Sequence, residues 1–134
     1  MLRRLLVSAV LLLASVRPPT AQASAAPAPS PEEVAIRKVI ADYAKAIETK
    51  DLELFRTVKP NLTKEEERRA RAAFESVQSQ VVKITILSVE VQALEAVVRV
   101  SRRDTINGSI VSSFPQTFRM AKSKTGWTIQ EIGK

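Results

Sequence analysis

"EAVVRVSRRDTINGSIVSSFPQTFRMA", residues 95–121, alternates apolar and polar side chains on both sides of an Asn-Gly step. Alternation is the period of a half-buried strand. Asn107 and Gly108 both tolerate positive φ, which is the signature of a two-residue hairpin loop. The stretch therefore predicts two antiparallel strands, Glu95–Ile106 and Ser109–Ala121. With a two-residue loop, Arg99 lies across from Gln116 and Arg103 from Ser112, all on one face of the sheet. Val97, Phe114, Phe118 and Met120 share that face by alternation, and Arg119 falls on the other with Ala96, Val98 and Val100. Pro115 has no N–H for the ladder, so a bulge or a free edge is expected there, and a bulge would reverse some of these faces.

The same period extends outward from the hairpin. Val81–Gln92 (VVKITILSVEVQ) reads as a preceding strand, and Trp127–Ile132 (WTIQEI) as a last one after a turn at Ser123–Gly126. Before residue 81 the period is helical. Ser30-Pro31-Glu32-Glu33 has a capping residue, a proline for the first turn and a capping-box glutamate. Ile36, Val39, Ile40, Tyr43, Ala44 and Ile47 follow at helical spacing to about Thr49. Asp51 caps a short second helix with Leu52, Phe55 and Val58 on its apolar side, ended by Pro60. Thr63 and Glu66 open a third, whose Ala70, Ala73, Phe74 and Val77 share a face. In it Glu65 precedes Arg69, and Glu67 precedes Arg71, by four residues, the favourable order for ion pairs. Its charges read as a solvated face; the functional alternative is a basic docking patch of Arg68, Arg69 and Arg71. Three helices followed by a four-stranded antiparallel meander make an α+β domain.

The domain does not fill the chain of 134 residues. Residues 1–23 have the layout of a secretory signal peptide: Arg3 and Arg4, the apolar run Leu5–Val16, then Ala21-Gln22-Ala23 as a small-x-small cleavage site. The run is short of the roughly 20 residues a membrane-spanning helix needs, so cleavage and export are expected, to the periplasm or beyond, with no stable membrane span afterwards; the alternative is an uncleaved anchor. Residues 24–31 (SAAPAPSP) read as a Pro/Ala-rich linker. The folded part is then residues 32–134.

Composition narrows the chemistry. The chain has no cysteine and no histidine. That removes thiol nucleophiles, Cys- or His-ligated metals, and any triad built on imidazole. The three glycines form no phosphate loop, no acidic cluster has calcium-loop spacing, and neither metal nor cofactor is expected. The formal charge is +7. Without Arg3, Arg4 and Arg17, 18 basic residues face 14 acidic ones, leaving +4. With six aromatic residues and no basic stripe interleaved with them, nucleic acid is not an expected partner.

Four stretches together resemble the nuclear transport factor 2-like superfamily, which includes SnoaL-like polyketide cyclases and ketosteroid isomerases. They are "DYAKAIETKDLELF", "VKPNLTKEEERRARAAF", "ITILSVEVQALEAVVRV" and "RMAKSKTGWTIQEI", covering about residues 33–133. The resemblance implies a cystatin-like cone, a strongly curved four-stranded sheet wrapped around the first helix, whose open end can take an apolar ligand. It also makes homodimerisation through the sheet an expectation. It does not imply catalysis, since the same cone hosts enzymes and binding modules.

Tyr43 falls where the isomerases carry an oxyanion-donating tyrosine. Those enzymes also need an aspartate base just after the second helix, and "TVKPNLTKEEE" lacks one. Asp104, close to the hairpin turn, is expected to lie away from the depth of the cone. A phenol without a base cannot abstract a proton, so no catalytic residue is assigned. Tyr43 is then a core ring, with a ligand contact as the alternative. Trp127 is a core plug closing the last strand onto the first helix, or a pocket wall. Arg99 and Gln116 on an apolar face suit a pocket with two polar anchors, or equally an exposed face or dimer surface with snorkelling arginines. The candidate ligand-binding set is Tyr43, Arg99, Gln116, Phe118 and Trp127. The expected function is an exported, non-catalytic domain binding a small apolar or weakly anionic ligand, or a partner protein, through its cone. One alternative is a SnoaL-like or isomerase-like enzyme using Tyr43 with an acid such as Glu131. The other is a cell-envelope adaptor using a basic surface.

Overall fold

Ser30 sets the first helix by accepting a hydrogen bond at its Oγ from the Glu33 amide, 3.1 Å away, with Pro31 in the first turn. The computed structural model describes residues 28–134, so the expected signal segment and the first half of the linker, residues 24–27, lie outside the described residues. The elements are α1 (Pro31–Thr49), α2 (Leu52–Val58), α3 (Lys64–Ser76), β1 (Gln80–Gln92), β2 (Glu95–Ile106), β3 (Ile110–Ser123) and β4 (Gly126–Gly133). The strands form one antiparallel sheet in chain order, curved and unclosed.

Each helix start is capped as its sequence predicts, but neither capping box closes. Glu33 turns its carboxylate to Arg37 at 2.8 Å, and Glu66 turns to Lys59 at 3.0 Å. A guanidinium or ammonium is a stronger partner for a carboxylate than a neutral amide. Lys50 adopts the left-handed conformation at φ 54°, and this lets Asp51 begin α2 at once.

The apolar stripe of α1 is buried against the inner face of the sheet. Ile36, Ile40, Tyr43, Ala44 and Ile47 meet Val98, Val100, Phe118, Met120 and Ile129. Two bulges bend the sheet around this helix, at Leu87 in β1 and Gln130 in β4. By contrast α3 buries no residue. It is held by the Phe74 ring 6.5 Å from Phe55 and by ion pairs of Glu67 with Arg56 and Glu66 with Lys59. Arg68, Arg69 and Arg71 pair with Glu65 and Glu67 on the same helix. The run is thus a self-neutralised, solvated face, and the basic docking patch weighed for these three arginines is not supported.

The hairpin differs from its sequence reading by one residue. Asn107 and Gly108 do take positive φ, and the Ser109 amide closes the turn on the Ile106 carbonyl. Ser109 is then an extra residue, and Ile106 faces Ile110. Arg99 therefore lies across from Thr117, and Arg103 from Ser113. A slip of one residue exchanges the two faces of a strand. Arg99, Arg103 and Arg119 all point outward, while Phe114, Gln116, Phe118 and Met120 share the inner face with Ala96, Val98 and Val100. Pro115 sits on a free edge, because β4 reaches along β3 only as far as Thr117.

Trp127 ties the last strand to the start of α1. Its indole N–H donates to Glu32 Oε2 at 2.5 Å, and Lys122 donates to Glu32 Oε1 at 2.6 Å. The Lys122 and Trp127 hydrogen bonds hold the Glu32 carboxyl below the usual carboxylate range. A depressed acid stabilises the fold above its unfolded value of about 4.3, and that contribution is lost as pH falls through the lower folded value. Trp127 fluorescence should therefore change as the pH drops below about 4.3, and Glu32→Gln should remove that step. A step of equal size in the variant would show that Glu32 does not report there.

Candidate functional site

The face exchange puts two charged residues inside: Arg102, which the sequence reading left out, and Asp104, which it placed away from the cone. Arg102 and Asp104 continue the inward series Ala96, Val98, Val100 along β2. They are 7% and 4% exposed. Arg102 grips Asp104 through two hydrogen bonds, Nε to Oδ1 and Nη2 to Oδ2, each 2.7 Å. Gln80 donates to Asp104 Oδ2 at 2.8 Å. Arg102 Nη1 donates to the Tyr43 hydroxyl at 2.9 Å and lies 3.5 Å from Gln116 Oε1. The guanidinium also stacks over Phe114, 5.2 Å from the ring centre. Asp104 is therefore buried on the inner face and linked to Tyr43 through Arg102, contrary to the expectation from its nearness to the turn. Two residues on from the turn along an alternating strand is enough to point a side chain inward.

Burial by itself would lower the Arg102 pKa. The Asp104 carboxylate, with Tyr43 beside it, outweighs this and holds the guanidinium above its ordinary value. Both Asp104 oxygens are engaged, and the planar fork fixes their position. This is the arrangement of a self-satisfied buried ion pair, and no buried polar side-chain atom of the described residues lacks a partner.

The ring of Tyr43 packs edge-on against Phe118 at 5.1 Å and tilted against Phe55 at 5.8 Å. Phe118 is fully buried, and Trp127 is 6% exposed. Of the five candidate ligand residues, the structure brings Tyr43, Gln116 and Phe118 together around Arg102. Trp127 lies at the other end, beside Glu32. Arg99 does not join them: it is on the outer face, 3.3 Å from Glu90. The cone at Tyr43 is thus filled by aromatic rings and an ion pair.

Clefts of 310–390 Å³ lie elsewhere among the described residues, and none is lined by Tyr43, Arg102, Gln116 or Phe118. One of about 370 Å³ opens where α2, α3 and β4 converge. Phe55, Leu62 and Ile132 give it apolar walls, and Lys59, Glu66, Arg69 and Glu131 supply charge. Phe55 is the shared wall, touching Tyr43 inward and the cleft outward. Lys59 is 8% exposed and is positioned by Asn61 and Glu66, at 3.1 and 3.0 Å. Its hydrogen bond holds the Glu66 carboxyl below the usual range. Glu131 lines this cleft and Tyr43 does not, so the two residues named in the isomerase-like alternative do not share it. Among the described residues no group of His, Cys, Asp or Glu could hold a metal, and no helix is long and apolar enough to cross a membrane.

No protein-family model matches the chain, and no curated protein matches it in sequence. Solved structures do match. A protein described as a candidate dehydratase of the nuclear transport factor 2-like family from Streptomyces avermitilis superposes with a TM-score of 0.64 at 11% identity, covering 78% of this chain and 95% of that one. A Mycobacterium tuberculosis protein of unknown function gives 0.65 at 20% identity, covering 74% and 72%. A candidate calcium/calmodulin-dependent protein kinase type II association domain from Thiobacillus denitrificans gives 0.62 at 15% identity, covering 78% and 92%. The chain has the nuclear transport factor 2-like fold, an α+β cone.

Proposed function

We propose that this is a non-catalytic binding domain that takes an apolar or weakly anionic ligand, or an apolar segment of a partner, in the cleft between α2, α3 and β4. The observation that carries this is the state of the interior. Asp104, the carboxylate inside the cone, has both oxygens committed to Arg102 and Gln80. General-base chemistry needs a carboxylate free to take a substrate proton, and both oxygens of this one are already held. The cleft outside Phe55 has the recurring make-up of a ligand site, apolar walls with a few placed polar groups. Lys59 is held by Glu66 and Asn61 and Arg69 by Glu65, so the apolar walls are the main attraction and an anionic group would share these cations with their carboxylates.

Anilinonaphthalene sulfonate, an apolar dye with one sulfonate, is a suitable probe. It should bind the folded protein with enhanced fluorescence, and Leu62→Glu should weaken binding about tenfold or more by placing a charge on the apolar wall. Unchanged affinity in a folded Leu62→Glu variant would reject the cleft. Export is part of the proposal and rests on Arg3, Arg4, the apolar run and Ala21-Gln22-Ala23. Intact mass of the protein recovered from its host should correspond to a start at Ser24; a mass retaining residues 1–23 would contradict it.

A further inference from the structure

The outer face of the sheet holds an unneutralised pair of cations. Lys83 in β1 and Arg103 in β2 are direct cross-strand partners, and both are exposed. Like charges directly opposite one another destabilise a sheet. Elsewhere on this face Arg99 pairs with Glu90, and Arg119, which makes no ion pair, at least has an acid, Glu131, as its cross-strand partner. All 14 acidic residues of the chain fall within the described residues, and none of them pairs with Lys83 or Arg103. Asp104, next along β2, faces inward and is held by Arg102.

What surrounds the pair indicates its partner. Exposed Ser101, Thr85 and Ser113 offer hydroxyls beside the cations. One row further toward the hairpin tip, Val81 and Val111 flank Thr105 and are 45% and 50% exposed. Rows on one face of a strand are about 7 Å apart, two residues at roughly 3.3 Å each. A cationic row is therefore bordered by an apolar one. No aromatic residue lies in these rows to stack on a base, as single-stranded nucleic acid would require.

We propose that this outer face of β1–β3 docks a partner protein through a segment that sets a carboxylate beside an aliphatic side chain. The carboxylate bridges Lys83 and Arg103, and the aliphatic group covers Val81 and Val111. Charge complementarity then turns a repulsion in the free protein into an attraction in the complex. A second copy docked through the same row would oppose cation to cation, so self-association by this surface is disfavoured. The inference is independent of the α2–α3–β4 cleft.

The test uses a short peptide of alternating glutamate and valine as probe. It should bind at low ionic strength, weaken several-fold at physiological salt, and lose about tenfold or more in affinity with Lys83→Glu/Arg103→Glu. Lys83→Glu alone should raise the melting temperature by a few degrees, by replacing a facing repulsion with a facing ion pair. This separates a docking loss from misfolding. Unchanged peptide binding in the double variant would overturn the proposal. Equal or tighter binding of polyphosphate or of phosphatidylglycerol vesicles at the same residues would also overturn it, in favour of a general anion surface. A homodimer through this face would do the same, as would a lowered melting temperature in Lys83→Glu.

Discussion

Arg102→Met should cost about 3–5 kcal/mol of folding stability, because it strands a buried carboxylate with one remaining donor. Asp104 is 4% exposed, and without the guanidinium only Gln80 would hydrogen-bond to it. The cost comes from the charge left behind more than from the lost attraction. Arg102→Met/Asp104→Leu should therefore recover most of the loss, since apolar replacement of a whole buried pair is often neutral. Tyr43→Phe removes only the acceptor of one Arg102 hydrogen bond and should cost about 1–3 kcal/mol. Chemical denaturation of the four proteins measures these values. A single Arg102→Met variant as stable as the parent would show that water reaches Asp104. Failure of the double variant to recover would show that the pair positions its neighbours in a way that packing cannot replace.

Phe118→Ala should cost about 3–5 kcal/mol, the range for removing a large ring from a packed interior. Phe118 is fully buried: Tyr43 meets it edge-on, Val98 faces it from β2, and Ile132 faces it from β4. A phenylalanine that walled an open ligand cavity would already lack neighbours on one side, and its truncation would cost much less. Stability thus distinguishes a filled cone from an open one at the residue where the two readings differ most. Binding of anilinonaphthalene sulfonate adds a second readout, since Phe118→Ala leaves the α2–α3–β4 cleft in place. A loss below about 1 kcal/mol would contradict the filled interior.

Most of the fold was legible in the sequence because its signals are local. Ser30, Asp51 and Thr63 each satisfy an amide three residues on, and each marks a helix start. The α1 stripe and the alternation of β1–β4 follow directly from burying one face. The candidate site was less legible because it depends on register. Asn107-Gly108 correctly marks the turn, but the extra residue at Ser109 is not encoded by any turn rule that a two-residue loop would break. With the faces read the other way, Arg99 was placed inside, Arg102 went unremarked and Asp104 was set away from the cone. A local signal for them did exist. Ala96, Val98 and Val100 continue by alternation to Arg102 and Asp104, and opposite charges two apart on an apolar face suggest a buried pair. The α2–α3–β4 cleft had no local signal, since Phe55, Leu62 and Ile132 come from three separated segments.

The measurement that bears most directly on the central claim is an amide-resolved NMR titration of the protein with anilinonaphthalene sulfonate. Recognition outside a filled cone predicts shifts at Leu62, Arg69 and Ile132, with Tyr43, Arg102 and Gln116 unmoved. Shifts centred on Tyr43, Arg102 and Gln116 would place the ligand inside the cone and contradict the account.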